Sequence, residues 1–266
     1  MTYIQQYCEV TRENTVLRGV AYIAQPAEGT HPTVILNHGF GGNHMEQGLF
    51  VRLARTLADA NFNVFTIDRT GQGDSDGSFY NITVARDLED INCIIDYVIS
   101  RKEVDTNQLH LVGLSMGAVL TTLVAAQRPT EIKTITCLST AAAFVDEING
   151  GTLQGKDVNI IETQGYLDFY GTRLGSDIVE ETKTQEIYNA ARGYEGPVRM
   201  LHGTADFIPV SYAEKYREVY GDNLQLTIRE GTDHGWSTVP HRDFLNTEIL
   251  AFLQAQTLKE VTNNEN

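Results

Sequence analysis

Short apolar runs separated by helix-patterned stretches set the rhythm of this 266-residue chain. The runs are "YCEV", "VLRGVAYI", "TVILN", "FNVFTID", "LHLVG", "TITCLS", "VRMLHG" and "LQLTIRE". Most are continuous rather than alternating, as expected of strands buried on both faces. Between them Val84, Leu88, Ile91, Ile95 and Val98 recur at helical spacing, as do Leu245, Ile249, Phe252 and Leu253. Strand–helix alternation predicts an α/β fold, a mostly parallel central sheet with helices on both faces. The rhythm breaks once. Residues 141–192 hold glycines, polar residues and aromatics with no clear strand–helix unit, and a long insertion of this kind reads as a cap or lid. The expected organisation is therefore a core of residues 1–140 and 193–260, an inserted cap at 141–192, and a frayed, disordered polar tail, "VTNNEN", at 261–266.

Charge narrows the class of partner. Lys and Arg number 20 against 35 Asp and Glu, a formal net charge of −15. Nucleic acids and anionic membranes call for a basic footprint, so neither is an expected partner. Three widely spaced cysteines, Cys8, Cys93 and Cys137, give no disulfide framework. The start, "MTYIQQYCEV", has no basic or apolar signal region, and no apolar run approaches the roughly 18 residues of a membrane span. These features lead to the expectation of a cytoplasmic protein.

The chemistry starts at Gly113-Leu114-Ser115-Met116-Gly117, a G-x-S-x-G sequence with an apolar run before it and a helix-like run after it. A sharp strand-to-helix turn crowds its neighbours, so glycines flank the serine, and the turn lifts the hydroxyl above the carboxyl edge of the sheet. A serine is a weak nucleophile without a base. Past "VRMLHG" comes Asp206, and past "LQLTIRE" comes His234; both loops open at the sheet edge that carries Ser115. Asp233 is a rival acid, but it adjoins His234 and is poorly placed to orient its ring. The glycine-rich "LNHGFGGNHME" follows another strand and can turn backbone N–H groups toward a reacting carbonyl. The expected donors are the N–H groups of Phe40 and Met116. Among the other histidines, His38 is expected to brace this loop, His110 to pack in a strand, His202 to shape a turn, and His31, His44 and His241 to lie in loops or at the surface. "DRTGQGDSDG" lacks the third glycine of a dinucleotide loop and the full spacing of a calcium loop, and reads as a turn beside the active site. No metal and no cofactor are expected.

The set "HGFGGN", "GQGDSDG", "GLSMGA", "LHGTADFIPV" and "GTDHGW" resembles the α/β-hydrolase fold across nearly the whole chain, and more narrowly the bacterial cinnamoyl (feruloyl) esterases. The resemblance implies Ser115 as nucleophile, Asp206 and His234 as its partners, and Phe40 and Met116 as oxyanion donors. It also implies an acidic cap residue and a cap tyrosine that bind the phenol hydroxyls of the substrate. Asp146 and Glu147 lie in that region, with Glu147 the better match by spacing. The tyrosine of that pattern has no counterpart in "GSDIVEE", and Met116 stands where the family often has glutamine. Phe144, Tyr166, Phe169, Tyr170 and Tyr188 lie in the cap as acyl-pocket or core aromatics. The expected activity is that of a serine carboxylic-ester hydrolase working through an acyl-enzyme on hydroxycinnamate or other small acyl esters. The alternatives are a short-acyl or monoacylglycerol esterase, a peptidase, and a catalytically silent binder of small ligands. The resemblance makes a homodimer plausible, though no residue demands one.

Overall fold

The computed structural model describes residues 2–26 and 29–263. Its centre is an eight-stranded sheet of β1 (Tyr3–Arg12), β2 (Thr15–Ala24), β3 (His31–Asn37), β4 (Asn63–Ile67), β5 (Val104–Leu114), β6 (Thr134–Leu138), β11 (Val198–Gly203) and β12 (Leu224–Arg229). The spatial order is β1-β2-β4-β3-β5-β6-β11-β12. β1 pairs antiparallel with β2, and β2 antiparallel with β4; every other neighbour is parallel. The mostly parallel sheet is thus the one the continuous apolar runs predict.

Each central strand feeds both faces. On β3, Ile35 packs with Phe65, Leu111 and residues of helices α2 (Val84–Ile99) and α3 (Met116–Gln127). Its neighbours Val34 and Leu36 face the other way, onto α1 (Leu49–Asp59) and α10 (Val239–Asn263). This is the two-residue period of a strand acting between two helical layers. Helix α2 begins where the Thr83 side chain accepts the N–H of Arg86, at 3.1 Å. Helix α3 is buried from Met116 through Ala125, which explains why its sequence is apolar all round. Helix α10 runs to Asn263, and residues 264–266 of the expected tail lie outside the described residues. Among the described residues no helix is long and apolar enough to cross a membrane.

Between β6 and β11 the chain builds small pieces. They are α4 (Phe144–Asn149), a hairpin of β7 (Thr152–Leu153) and β8 (Lys156–Asp157), α5 (Ile160–Gln164), a hairpin of β9 (Leu167–Phe169) and β10 (Thr172–Leu174), α6 (Asp177–Thr182) and α7 (Ile187–Ala190). Two further short helices, α8 (Val210–Glu214) and α9 (Arg217–Tyr220), lie between β11 and β12.

The histidine readings divide. His110 is wholly buried in β5, with Nδ1 2.8 Å from the Thr134 hydroxyl. His31 is not a surface residue: it opens β3, is buried, and its Nε2 lies 3.2 Å from the Pro26 carbonyl. The polar sequence "EGT" just before β3 hides that burial. Burial holds both His110 and His38 down at about 3, against an ordinary 6.5, with the Lys133 and Arg69 charges adding to the effect. The unfolded chain takes up these protons from about pH 6.5 downward and the folded chain does not. Stability from the neutral pair is therefore complete above 6.5 and is lost toward pH 3, at up to about 1.4 kcal/mol per pH unit for each ring. Asp87 acts oppositely: burial raises its carboxyl to about 6, so the folded state holds an extra proton between about pH 4 and 6 and offsets part of this loss. His110→Gln is expected to flatten the acid limb by about one proton, read from urea unfolding at pH 7, 5.5 and 4.5. An unchanged slope would show that His110 protonates in the folded state.

Candidate active site

Strand β5 ends at Leu114 and α3 starts at Met116, so Ser115 alone makes the turn. Its backbone sits at φ 57, ψ −118, a region costing a residue with a side chain about 1–3 kcal/mol. The neighbours hold it there. Ser115 N–H donates to the Leu138 carbonyl of β6 at 2.9 Å, and the Ser115 carbonyl accepts the N–H groups of Ala118 and Ala141, both at 3.1 Å. A Cβ on Gly113 would stand 2.1 Å from the Gly117 carbonyl oxygen, and one on Gly117 2.0 Å from that of Asn37. Only glycine lets β3, β5 and α3 approach this closely.

The loops after β11 and β12 are zipped together. Thr204 N–H donates to the Arg229 carbonyl, Ala205 N–H to Thr232, and Gly231 N–H to the Thr204 hydroxyl, at 3.0, 3.0 and 2.9 Å. Trp236, wholly buried, donates its indole N–H to the Ser139 hydroxyl at 3.1 Å and anchors the loop that carries His234. As a result His234 Nε2 lies 2.9 Å from Ser115 Oγ, and His234 Nδ1 lies 2.9 Å from each Asp206 oxygen. The Asp206 side chain is buried and also accepts the Ile208 N–H at 2.9 Å. With Nδ1–H donating to Asp206, Nε2 is left as an acceptor for the serine proton. Asp233 is turned to the N–H of Ser237, 2.8 Å away, and takes no part in this chain of bonds.

The loop after β3 runs over the serine. Its Phe40 ring is wedged edge-on between Phe79 and Phe169, with centroids 5.1 and 5.0 Å away. Among the described residues, no protein acceptor takes the N–H of Phe40 or of Met116. His38 is fully buried beneath the loop, with Nδ1 2.8 Å from the Gly39 carbonyl and Nε2 accepting the Arg69 N–H at 3.1 Å. His202 Nε2 lies 2.9 Å from the Ile208 carbonyl and so ties the turn that carries Asp206.

Two spaces meet at Ser115. One, of about 240 Å³, is lined by the Gly39–Gly42 loop, Glu46, Gln47, Gln154, Phe207 and His234. The other is a slot of about 20 Å³, walled by Ala141, Phe144, Leu153 and Ile208, with Glu147 also lining it. Glu147 accepts the Gln154 N–H at 2.7 Å, whereas Asp146 is occupied by the Tyr212 hydroxyl at 2.8 Å. Of the other cap aromatics, Tyr188 packs on Tyr216 and Tyr166 lies under Arg173, neither lining these spaces. Residues 175–181 line neither space. The sequence reading overlooked Glu46, Gln72, Gln154 and Phe207; the ring of Phe207 lies 4.4 Å from that of His234.

The one group of metal-type ligands among the described residues is His44, Asp68 and Asp74, whose ligand atoms lie within 4.8 Å of one another. The Asp68 oxygens already accept the ring and backbone N–H of His44 and the N–H of Asp74, so the group serves as a loop tie. His44 thus lies in a loop, as expected, and is partly buried and paired with Asp68.

A solved structure of Est1E from Butyrivibrio proteoclasticus with ferulic acid bound superimposes with a TM-score of 0.86, covering 94% of this chain and 99% of that one at 24% identity. This chain has the α/β-hydrolase fold. A family model described as serine aminopeptidase, S33, matches residues 29–155, a little under half of the chain, taking in Phe40, Ser115 and Met116 but not Asp206 or His234. An uncharacterized 31.7 kDa protein of the traX-finO intergenic region of Escherichia coli is 29% identical over 157 residues, 58% of this chain and 52% of its own. The mitochondrial palmitoyl-protein thioesterase ABHD10 of Bos taurus is 26% identical over 63% of this chain and 55% of its own. The chain thus spans about half the length of these curated relatives.

Proposed function

We propose that the protein is a serine carboxylic-ester hydrolase working through an acyl-enzyme. The observation that carries this reading is the unbroken chain Ser115 Oγ–His234 Nε2, His234 Nδ1–Asp206, with every link at 2.9 Å. His234 takes the Ser115 proton as the oxygen attacks the ester carbonyl. Asp206 holds the ring in the tautomer that can accept it and balances the imidazolium charge. The N–H groups of Phe40 and Met116 receive the developing oxyanion. His234 then returns the proton to the departing alcohol, and a water activated by the same ring releases the acid.

The proposed organisation is a core of residues 1–140 and 193–260 and a cap of 141–192. Within the cap, Glu147 lines the slot beside the serine, which we read as the acyl side. A hydroxycinnamate acyl group is supported by this placement and by the likeness to the ferulate-bound structure. The slot's size favours a second reading. A slot of about 20 Å³ suits a small acyl group better than a phenylpropenoyl group, which requires Phe144, Leu153 or Gln154 to move aside.

Fluorophosphonate labelling with peptide mapping, alongside rates on p-nitrophenyl butyrate and ethyl ferulate, tests both levels. Labelling at Ser115 with turnover of either ester is the expected result. Butyrate turnover without ferulate turnover removes the hydroxycinnamate assignment and keeps the hydrolase; no labelling removes both.

A further inference from the structure

The peptide that carries the Phe40 N–H is held on every side. Its own carbonyl, that of Gly39, accepts the Arg69 guanidinium at 3.1 Å and faces His38 Nδ1 at 2.8 Å. The carbonyl and N–H of a trans peptide point in opposite directions, so fixing the Gly39 carbonyl aims the Phe40 N–H. The two flanking amides are fixed as well. Gly39 N–H donates to Glu46 Oε1 at 2.5 Å, and Gly41 N–H donates to Gln72 Oε1 at 2.9 Å. Gln72 is itself steadied by Asp87, whose Oδ1 lies 3.3 Å from Gln72 Nε2 and whose Oδ2 lies 3.0 Å from Arg69 Nε.

Delivering the Glu46 acceptor is costly to the fold. Glu46 and Gln47 take φ values of 44 and 50, left-handed backbone that residues with side chains seldom adopt. Burial pushes the Glu46 carboxyl up, against the pull of the Gly39 N–H and the Arg69 charge. Both features are unfavourable on their own, and both bring one oxygen to the amide beside Phe40.

We propose that Glu46 and Gln72 are positioning residues of the oxyanion hole, acting through the Gly39 and Gly41 amides to hold the Phe40 N–H where the transition-state oxygen arrives. The proposal rests on the ester-hydrolase reading above. A donor used only in the transition state alters kcat and leaves KM, whereas a lost uniform substrate contact raises KM and leaves kcat.

The test uses Gln72→Met, which keeps shape but has no comparable acceptor, Glu46→Leu, and Glu46→Gln, which keeps one. With p-nitrophenyl butyrate, Gln72→Met and Glu46→Leu are expected to lose about 10- to 100-fold in kcat with KM within about twofold, part of the 10²–10³ carried by one donor. Glu46→Gln should stay within about threefold of the parent. Inhibition by an alkylboronic acid, a tetrahedral mimic, should weaken by the same factor as kcat. Unchanged kcat in folded Gln72→Met and Glu46→Leu, a loss confined to KM, or equal losses in Glu46→Gln and Glu46→Leu would overturn the proposal. Amide hydrogen exchange provides a readout independent of turnover: Gly41 should exchange faster in Gln72→Met and Gly39 in Glu46→Leu. If the parent protein hydrolyses no ester and Ser115 resists fluorophosphonate, the hydrolase reading fails separately. Unchanged protection of both amides overturns the clamp by itself.

Discussion

Replacing Ser115 by alanine is expected to lower ester turnover by about 10⁶-fold while leaving the protein folded. The reaction loses its nucleophile outright, and no other hydroxyl is hydrogen-bonded to His234 Nε2 among the described residues. The fold should be indifferent. Alanine meets the same backbone at φ 57 as serine does, and the hydrogen bonds that hold the turn run through the Ser115 backbone. The one partner left behind, His234, is about one-fifth exposed and can turn to water. Matched circular dichroism and melting curves, with kcat measured on enzyme free of parent protein, make the comparison. A variant turning over within tenfold of the parent would remove Ser115 from the chemistry.

Asp206→Asn is expected to cost about 10⁴-fold in kcat, with little change in shape. The carboxylate accepts the His234 Nδ1 proton and thereby leaves Nε2 free to take the one from Ser115. An amide can present its NH₂ to Nδ1 instead, which puts the ring proton on Nε2 and leaves Ser115 without a base. Among the described residues no other carboxylate is hydrogen-bonded to His234, and the Ile208 N–H can still be accepted by the amide oxygen. The rate of fluorophosphonate labelling should fall in parallel with kcat, because it too needs the deprotonated serine. Asp233→Asn is the control: its carboxylate faces Ser237, and the variant should keep nearly all activity. A large loss in Asp233→Asn together with a small one in Asp206→Asn would reverse the assignment of the acid.

The strands of the main sheet are legible as apolar runs because burial on two faces leaves no room for polar alternation. Where that burial lapses, so does the signal. β1 begins at Tyr3, yet its first residues are mostly exposed at the sheet edge, and only "YCEV" reads as a strand. The pieces between β6 and β11 escaped because strands of two or three residues carry no period at all. At the site, Ser115, Asp206 and His234 are legible because each chemistry demands a particular residue type beside a particular turn. Glu46 and Gln72 are not, since each acts by accepting one backbone N–H, a task many residue types can perform. Only the folded loop shows which ones do. Gln72 lies within "GQGDSDG", whose nearness to the site was foreseen while its grip on Gly41 was not.

The span between Ser115 and His234, 119 residues, has a consequence for the order in which the molecule becomes competent. The strand that leads to Ser115, β5, pairs with β3 and β6, both nearer in sequence than the loop of His234, which follows the last strand at the far edge. Contacts at such separation form late, after the loop-closure entropy of the intervening chain has been overcome. The proposed nucleophile is therefore expected to be assembled before its proposed base, leaving the serine of a partly folded or still-emerging chain inert. Recovery of hydrolysis during refolding is then expected to lag the first recovery of helical signal.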